Sequence, residues 1–378
     1  LPGTSYMGNR IEPIFMPKWG MSMKVGLLLS WLVEEGEGID LGQEIAEIET
    51  EKTVTNLEAG VSGILRKKVV SEGEQAPIRS LIGVVADPSI TESEIADFVS
   101  TYVDSSKNST ESSAPVASRF EKIQIGGKYV NYLKQGEADE RRVLLLHGFG
   151  GDLNSWQFNH RELSSCATVY ALDLLGHGES SKDVGVGDYD AMSSIIFEFI
   201  QTLELGKVHL VGHSLGGAIS LYLSNRHPEI VASLTLIASI GVGSTVNEQY
   251  ICNYINARTS RELRAVLEEI FFVKKKLSRT MVEQVLRYKR IDGVNGYLEI
   301  IAKNCLVSGV NLLRDTSKER VKPFACQFIW GAEDRVIQPP KHESISPTSD
   351  FHTIQGAGHM VHIEKSRKVN RLITNFIL

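Results

Sequence analysis

The sequence predicts two domains of different class in tandem: an all-β domain built from two similar halves, then a parallel α/β domain carrying a helical insertion. Three observations predict it. Near the N-terminus Val33, Glu35, Gly36, Glu37 and Ile45 are echoed by Val70, Glu72, Gly73, Glu74 and Ile82, an offset of 37 residues. From Asp104 to Ser118 the chain is rich in Ser, Thr, Asn and Pro and poor in apolar residues. Beyond it, three apolar runs each end in a glycine-bearing turn, the mark of strands buried on both faces of a parallel sheet.

At 378 residues, 42% hydrophobic and 23% charged, the chain is long enough for two domains and ordinary in composition. No stretch approaches the ~18 consecutive apolar residues of a membrane span. Leu1 to Arg10 lacks the layout of a signal peptide, and Leu1 to Tyr6, ahead of Met7, fits neither domain pattern. A cytoplasmic location without membrane attachment is therefore expected. Cys166, Cys252, Cys305 and Cys326 form no Cys-x-x-Cys pair, so neither a disulfide framework nor a metal site is indicated. A net charge of −6 argues against general nucleic-acid binding.

In residues 8–88 the two echoing copies are too few for a stacked solenoid and predict two half-sheets closing on each other. Lys52 is the only basic residue between Val25 and Leu65, a stretch holding nine acidic ones. It lies between two alternating runs, Ile45 to Glu49 and Thr53 to Glu58, and so reads as a hairpin-tip lysine displayed for modification, with an ordinary solvated turn lysine as the plain alternative. With Met16-Pro17-Lys18-Trp19-Gly20-Met21-Ser22-Met23 upstream and Glu58-Ala59-Gly60-Val61-Ser62-Gly63-Ile64 downstream, this segment resembles the lipoyl domains of acyl-transferring dehydrogenase complexes. The resemblance implies a flattened all-β barrel of the lipoyl/biotinyl type and lipoate attached covalently to Lys52. Biotin carriers share the fold, but their lysine is typically flanked by methionines, whereas Lys52 has Glu51 and Thr53. Lys24-Val25-Gly26 stands where a Glu-Gly pair is more usual, which bears on partner recognition.

Residues 89–118 read as a short helix and a flexible linker. Thr91-Glu92-Ser93-Glu94 ahead of Ile95, Phe98 and Val99 is a capping-box pattern. The polar stretch that follows could extend roughly 50 Å, enough for a small domain to swing.

The third piece, 119–378, opens with the strand Arg142 to Leu146, ending in His147-Gly148-Phe149-Gly150-Gly151. Val169 to Leu172 ends in Asp173-Leu174-Leu175-Gly176-His177-Gly178, and Val208 to Val211 turns through Gly212-His213-Ser214-Leu215-Gly216-Gly217 into an apolar helix. Strand, glycine turn and helix together make Gly-x-Ser-x-Gly a nucleophile elbow. Further on, Phe324 to Trp330 precedes Glu333-Asp334, and Phe351 to Ile354 precedes Gly356-Ala357-Gly358-His359. In this order the residues resemble the α/β-hydrolase superfamily, which implies Ser214 as nucleophile, His359 as base, Asp334 as its orienting acid, and the N–H groups of Phe149 and Leu215 as the oxyanion hole. Glu333 competes with Asp334, and His362 with His359. His147, His177 and His213 are expected to support loops by hydrogen bonds. Leu175 replaces the proline common before Gly-His-Gly.

Between about Gly241 and Val310 the apolar spacing turns helical, where this superfamily carries a cap over the nucleophile. Arg258 to Arg290 holds ten basic residues against four acidic ones, including Lys274, Lys275 and Lys276. A solvated helix face is the plain reading. The sharper one is a patch for an anionic substrate, the phosphates of coenzyme A, or for the acidic carrier domain.

A lipoyl domain joined to an α/β-hydrolase domain resembles the dihydrolipoamide acetyltransferase components of acetoin dehydrogenase complexes. The His-x-x-x-Asp-Gly motif of the usual 2-oxoacid complex acyltransferases is missing. The resemblance implies transfer of an acetyl group from S-acetyldihydrolipoyl-Lys52 to coenzyme A. It also implies partners: a thiamine-diphosphate-dependent acetoin dehydrogenase component, a dihydrolipoyl dehydrogenase and a lipoyl ligase, with the chain itself in a homo-oligomer. Two alternatives stay open at this point. One is a hydrolase of thioesters, esters or carbon–carbon bonds tethered to a lipoyl domain; the other is a carrier or scaffold subunit without transfer activity.

Overall fold

The computed structural model describes residues 11–17, 23–40, 42–50, 54–78, 80–103, 119–138, 140–242, 245–306, 324–340 and 350–378. The chain passes from a first compact unit to a second at Ala117–Ser118. The polar stretch 104–118, the segment 18–22 and Lys52 lie outside the described residues.

The first unit holds strands β1 (Ile11–Phe15), β2 (Val25–Trp31), β3 (Gly38–Ile39), β4 (Glu44–Glu49), β5 (Val54–Glu58), β6 (Gly63–Lys68), β7 (Glu74–Pro77) and β8 (Leu81–Ala86). They form two four-stranded sheets in the orders β1-β8-β6-β3 and β5-β4-β2-β7, which correspond strand for strand. The sequence echo is the covalent trace of that correspondence. Gly36 donates its N–H to Leu65 O and Gly73 to Leu28 O, both at 2.7 Å, and both glycines sit at positive φ, +92° and +77°, where a side chain would be strained. Glu72 accepts from Trp31 N at 2.7 Å while Glu35 accepts from Lys68 N at 2.6 Å, so each half supplies a carboxylate that holds a backbone amide of the other. Ile45 and Ile82 are fully buried and share one core with Leu28 and Leu65. β4 and β5 pair antiparallel with Glu49 opposite Val54, so paired strand ends flank the segment that contains Lys52.

The helix Glu92–Val103 carries the expected capping box, Thr91 N donating to Glu94 Oε2 at 2.8 Å and Glu94 N to Thr91 Oγ1 at 3.3 Å. Its residues Ile95, Phe98 and Val99 pack on Leu81, Val84 and Ala86. β8 is therefore buried on both faces, by the barrel core on one side and the helix on the other.

The second unit is built on one eight-stranded sheet: β9 (Arg119–Ile125), β10 (Lys128–Gln135), β11 (Arg142–Leu146), β12 (Thr168–Leu172), β13 (Val208–His213), β14 (Val231–Ile237), β15 (Ala325–Gly331) and β16 (Asp350–Ile354), in the order β16-β15-β14-β13-β11-β12-β10-β9. The six strands from β16 to β12 run parallel, and β10 and β9 extend the sheet antiparallel. Val143, Leu145, Val211, Ile237 and Ile329 face a core closed by Leu163 and by Val369, Ile373 and Ile377 of the C-terminal helix Ser366–Ile377. The helix Leu215–Arg226 is buried along most of its length and leaves directly from β13. Strand order reverses between β11 and β13, and a crevice at such a switch point is where parallel sheets place their sites. Among the described residues between β14 and β15 lie the α-helices Glu248–Asn256, Ser260–Leu267, Arg279–Lys289 and Val294–Ile301, the helical insertion expected from the apolar spacing. No helix among the described residues is long and apolar enough to cross a membrane.

Candidate active site

The turn after β13 is strained at Ser214, whose φ of 52° and ψ of −114° are rare for a residue with a side chain and cost about 1–3 kcal/mol. The surroundings enforce it. Ser214 N donates to Ile237 O at 3.0 Å, and the flanking glycines leave no room for relaxation. A Cβ on Gly216 would strike the carbonyl oxygens of Leu146 and His147, and one on Gly212 would lie 2.6 Å from the Gly216 carbonyl carbon. The glycines of the motif are thus required by the approach of helix to strand, and the serine is pushed out at the helix N-terminus.

Asp334 and His359 meet from neighbouring strand ends. Asp334 Oδ2 lies 2.8 Å from His359 Nδ1, and Oδ1 accepts the N–H groups of Val336 and Ile337 at 2.8 and 2.9 Å. Both residues are buried. A carboxylate with every oxygen engaged can only accept, so His359 carries its proton on Nδ1 and leaves Nε2 free to take another. Glu333, the competing acid, instead accepts from Ala357 N at 3.0 Å, and its own N–H donates to Ala357 O at 3.1 Å. His362, the competing base, is fully buried against Trp156, ring centroids 4.6 Å apart.

Among the described residues, the N–H groups of Phe149 and Leu215 meet no acceptor. Leu215 N–H is free because it opens a helix. Phe149 N–H is aimed through its own peptide plane. Gly148 O accepts His147 Nδ1–H at 2.8 Å and Gly151 N–H at 3.1 Å, so the amide across the trans peptide points the opposite way. His147 Nε2 in turn accepts Leu174 N–H at 3.0 Å, and His177 Nε2 accepts Gly150 N–H at 3.0 Å. His213 Nε2–H donates to His359 O at 3.0 Å. The three supporting histidines fix the two loops that face Ser214.

These rings are neutral because burial opposes their charging. Burial, with the neighbouring His147, pushes His177 down to about 3, and burial, with His359 nearby, pushes His362 down to about 3. His213 and His147 are lowered in the same direction by burial. Unfolding returns each ring to its ordinary value of 6.5, so below that pH the unfolded chain binds more protons than the folded one. Stability is full above that value and lost as pH falls from it toward about 3. Chemical unfolding is expected to show about 1 kcal/mol less stability for each of His177 and His362 at about pH 5.5 than at about pH 7.5. A flat profile would contradict the neutral assignment.

Ser214 and His359 both line one small pocket. Phe149, Ile240 and Val336 line it from the sheet side, and Val246, Tyr250, Ile251, Ile270 and Leu306 close it from the insertion. Away from the serine the lining side chains are mainly apolar. The insertion is tied to the loops below: Tyr254 Oη donates to Gly150 O at 3.0 Å, and Tyr288 Oη to Gly176 O at 2.7 Å.

The basic run is less free than its charge implies. Lys289 Nζ is buried and donates to Tyr254 O and Ile255 O, the last turn of the helix Glu248–Asn256, and Arg258 joins it at Ile255 O. Lys274, itself exposed, pairs with Glu268 at 3.4 Å, Lys276 Nζ donates to Glu364 O at 2.9 Å, and Lys275 is exposed. Lys52 lies outside the described residues. Tyr254 and Glu364 escaped sequence reading because each sits in an ordinary helical pattern, and only the fold brings it to a catalytic loop.

A family model described as "alpha/beta hydrolase fold" matches residues 141–366, and one described as "biotin-requiring enzyme" matches residues 12–85. Two relatives named as the dihydrolipoyllysine-residue acetyltransferase component of an acetoin cleaving system align over nearly the whole chain. The Pseudomonas putida protein is 34% identical over 98% of this chain and 99% of its own length. The Cupriavidus necator protein is 35% identical over 96% of each. Among solved structures, a serine hydrolase from Cycloclasticus zankles superposes with a TM-score of 0.60 at 21% identity, over 69% of this chain and 98% of its own. A meta-cleavage product hydrolase superposes with a TM-score of 0.59 at 22% identity, over 68% of this chain and 97% of its own. These two likenesses show the fold.

Proposed function

The chain belongs to the family of dihydrolipoyllysine-residue acetyltransferase components of acetoin cleaving systems, and from that premise we propose that its α/β-hydrolase domain passes an acetyl group from a dihydrolipoyl thioester on Lys52 to coenzyme A, with Ser214 as the nucleophile. The observation that supports it is the histidine–aspartate pair beside a strained serine, under a cap, in a chain that also carries a lipoyl-type barrel.

His359 Nε2 takes the Ser214 hydroxyl proton as Oγ bonds to the thioester carbonyl carbon. The oxyanion falls to Phe149 N–H and Leu215 N–H. When the carbon–sulfur bond breaks, His359 returns the proton to the departing sulfur, and Ser214 holds the acetyl group as an ester. His359 then takes the proton of the coenzyme A thiol, the sulfur attacks the ester, and Ser214 Oγ leaves with that proton. Asp334 holds the imidazolium formed at each half-reaction. Water can replace the thiol, so the apolar closure by Tyr250, Ile251 and Ile270 is what favours transfer.

Coenzyme A carries phosphates, and in the run Lys274, Lys275 and Lys276 the exposed Lys275 is the charge available to them. Lys275→Glu is expected to raise the KM for coenzyme A about 3- to 10-fold with kcat little changed; an unchanged KM would remove this run from the binding site. The partners fit the same reading: a thiamine-diphosphate-dependent acetoin component that loads the lipoyl group, a dihydrolipoyl dehydrogenase that reoxidises it and a lipoyl ligase that attaches it, with this subunit as a homo-oligomer in the cytoplasm. The test of the function is product identity, acetyl-coenzyme A or acetate, from acetylated lipoyl protein.

A further inference from the structure

The loop that presents His359 is held from two sides by carboxylates, and one of them also grips the helical insertion. Glu364 is buried. Its Oε2 accepts Gly358 N–H at 2.7 Å, one residue before His359, and its Oε1 accepts Val273 N–H from the insertion at 2.8 Å. Lys276 Nζ donates to the backbone oxygen of the same residue at 2.9 Å. The loop has no slack on either flank. A Cβ on Gly358 would lie 2.9 Å from Ile270 O and Phe272 N, and Met360 N donates to Ile270 O at 3.1 Å. Glu333 fixes both backbone groups of Ala357 on the opposite side.

We infer that Glu364 is a positioning residue that couples the segment Ile270–Val273 of the cap to the catalytic histidine, so that His359 is aligned only when that segment is seated. This rests on the reading of Ser214 and His359 as nucleophile and base. One carboxylate shared between two amides makes the seat of the cap and the setting of the histidine a single event: lifting Val273 from Oε1 frees the side chain that holds Gly358. Ile270 lines the pocket, so a group that fills the pocket presses on the same segment. Charge-assisted bonds to backbone N–H groups are roughly twice as strong as neutral ones, which suits a joint that must hold while the acyl group is exchanged.

The experiment uses the full-length lipoylated protein carrying Glu364→Gln, which preserves shape but turns one acceptor into a donor facing an N–H. Active sites are counted from the end point of labelling of Ser214 by a fluorophosphonate, carried to completion in each variant, so rates are read per folded site even if part of the preparation misfolds. The expected result is a kcat for acetyl transfer lowered about 10- to 100-fold with the KM for the acetyl donor changed less than about 3-fold. Phosphonate labelling should slow in parallel, and the downfield proton resonance of His359 Nδ1–H should broaden. An unchanged per-site kcat with an unchanged resonance would overturn the inference, as would a loss confined to KM. Ser214→Ala runs alongside: if it retains transfer, the nucleophile reading fails, whereas loss in Ser214→Ala with none in Glu364→Gln overturns only the role of Glu364.

Discussion

Ser214→Ala is expected to lower acetyl transfer to coenzyme A by about 10⁴-fold or more while leaving the melting temperature within a few degrees of the parent. Alanine has the same Cβ as serine and meets the same strain at φ 52°, so the elbow is retained and only the oxygen is removed. Neither backbone bond that seats the turn, Ser214 N to Ile237 O and Ile240 N to Ser214 O, involves the hydroxyl. The size of the loss separates two mechanisms. In the two-step route the serine carries the acetyl group, and nothing replaces it. If His359 instead activated the coenzyme A thiol for direct attack on the thioester, the oxyanion hole and base would survive, and the loss would stay near 10-fold. Rates measured per folded protein, with a rapid-quench search for acetylated Ser214 in the parent, distinguish the two.

The second large effect belongs to the carrier. Lys52→Arg keeps the positive charge but offers a delocalised guanidinium that does not act as an acyl acceptor. Intact-mass measurement should show complete loss of the lipoyl group, and acetyl delivery within the assembled system should vanish. Transfer from free S-acetyldihydrolipoamide should persist within about 2-fold, because Ser214, Asp334 and His359 are untouched. Loss of both activities would mean that the lysine does more than carry. Retention of the lipoyl mass would move the attachment point elsewhere. The nine acidic residues of Val25 to Leu65 leave Lys52 as the sole amine of that stretch, so the readout there is unambiguous.

The two halves of the barrel were legible because a 37-residue offset survives in the residues that make the same turn twice: Glu35 and Glu72, Gly36 and Gly73. The elbow was legible because close approach of helix and strand excludes any Cβ at Gly212 and Gly216. Asp334 and Glu333 could be told apart only by where a strand ends, and the fold gives each its own task, the aspartate on the His359 ring and the glutamate on the backbone of Ala357. What the sequence hid was tertiary. The residues Ile95, Phe98 and Val99 mark one apolar face of the expected helix but not the strand it covers, which is β8. The lysines of the insertion read as a single charged run, yet Lys289 closes a helix end and Lys276 reaches Glu364 O. Net charge along a chain carries no record of which ammonium groups are turned inward.

Whether a hydrolase fold has been turned to transfer is read from the fate of the acetyl group. Lipoylated protein is charged with labelled acetyl on Lys52, and acetyl-coenzyme A and acetate are quantified over time with and without coenzyme A. Acetyl-coenzyme A formed at a rate far above that of acetate, and lost in Ser214→Ala, is the expected result. Acetate released at the same rate whether or not coenzyme A is present would contradict it and leave the domain a thioester hydrolase on a tether.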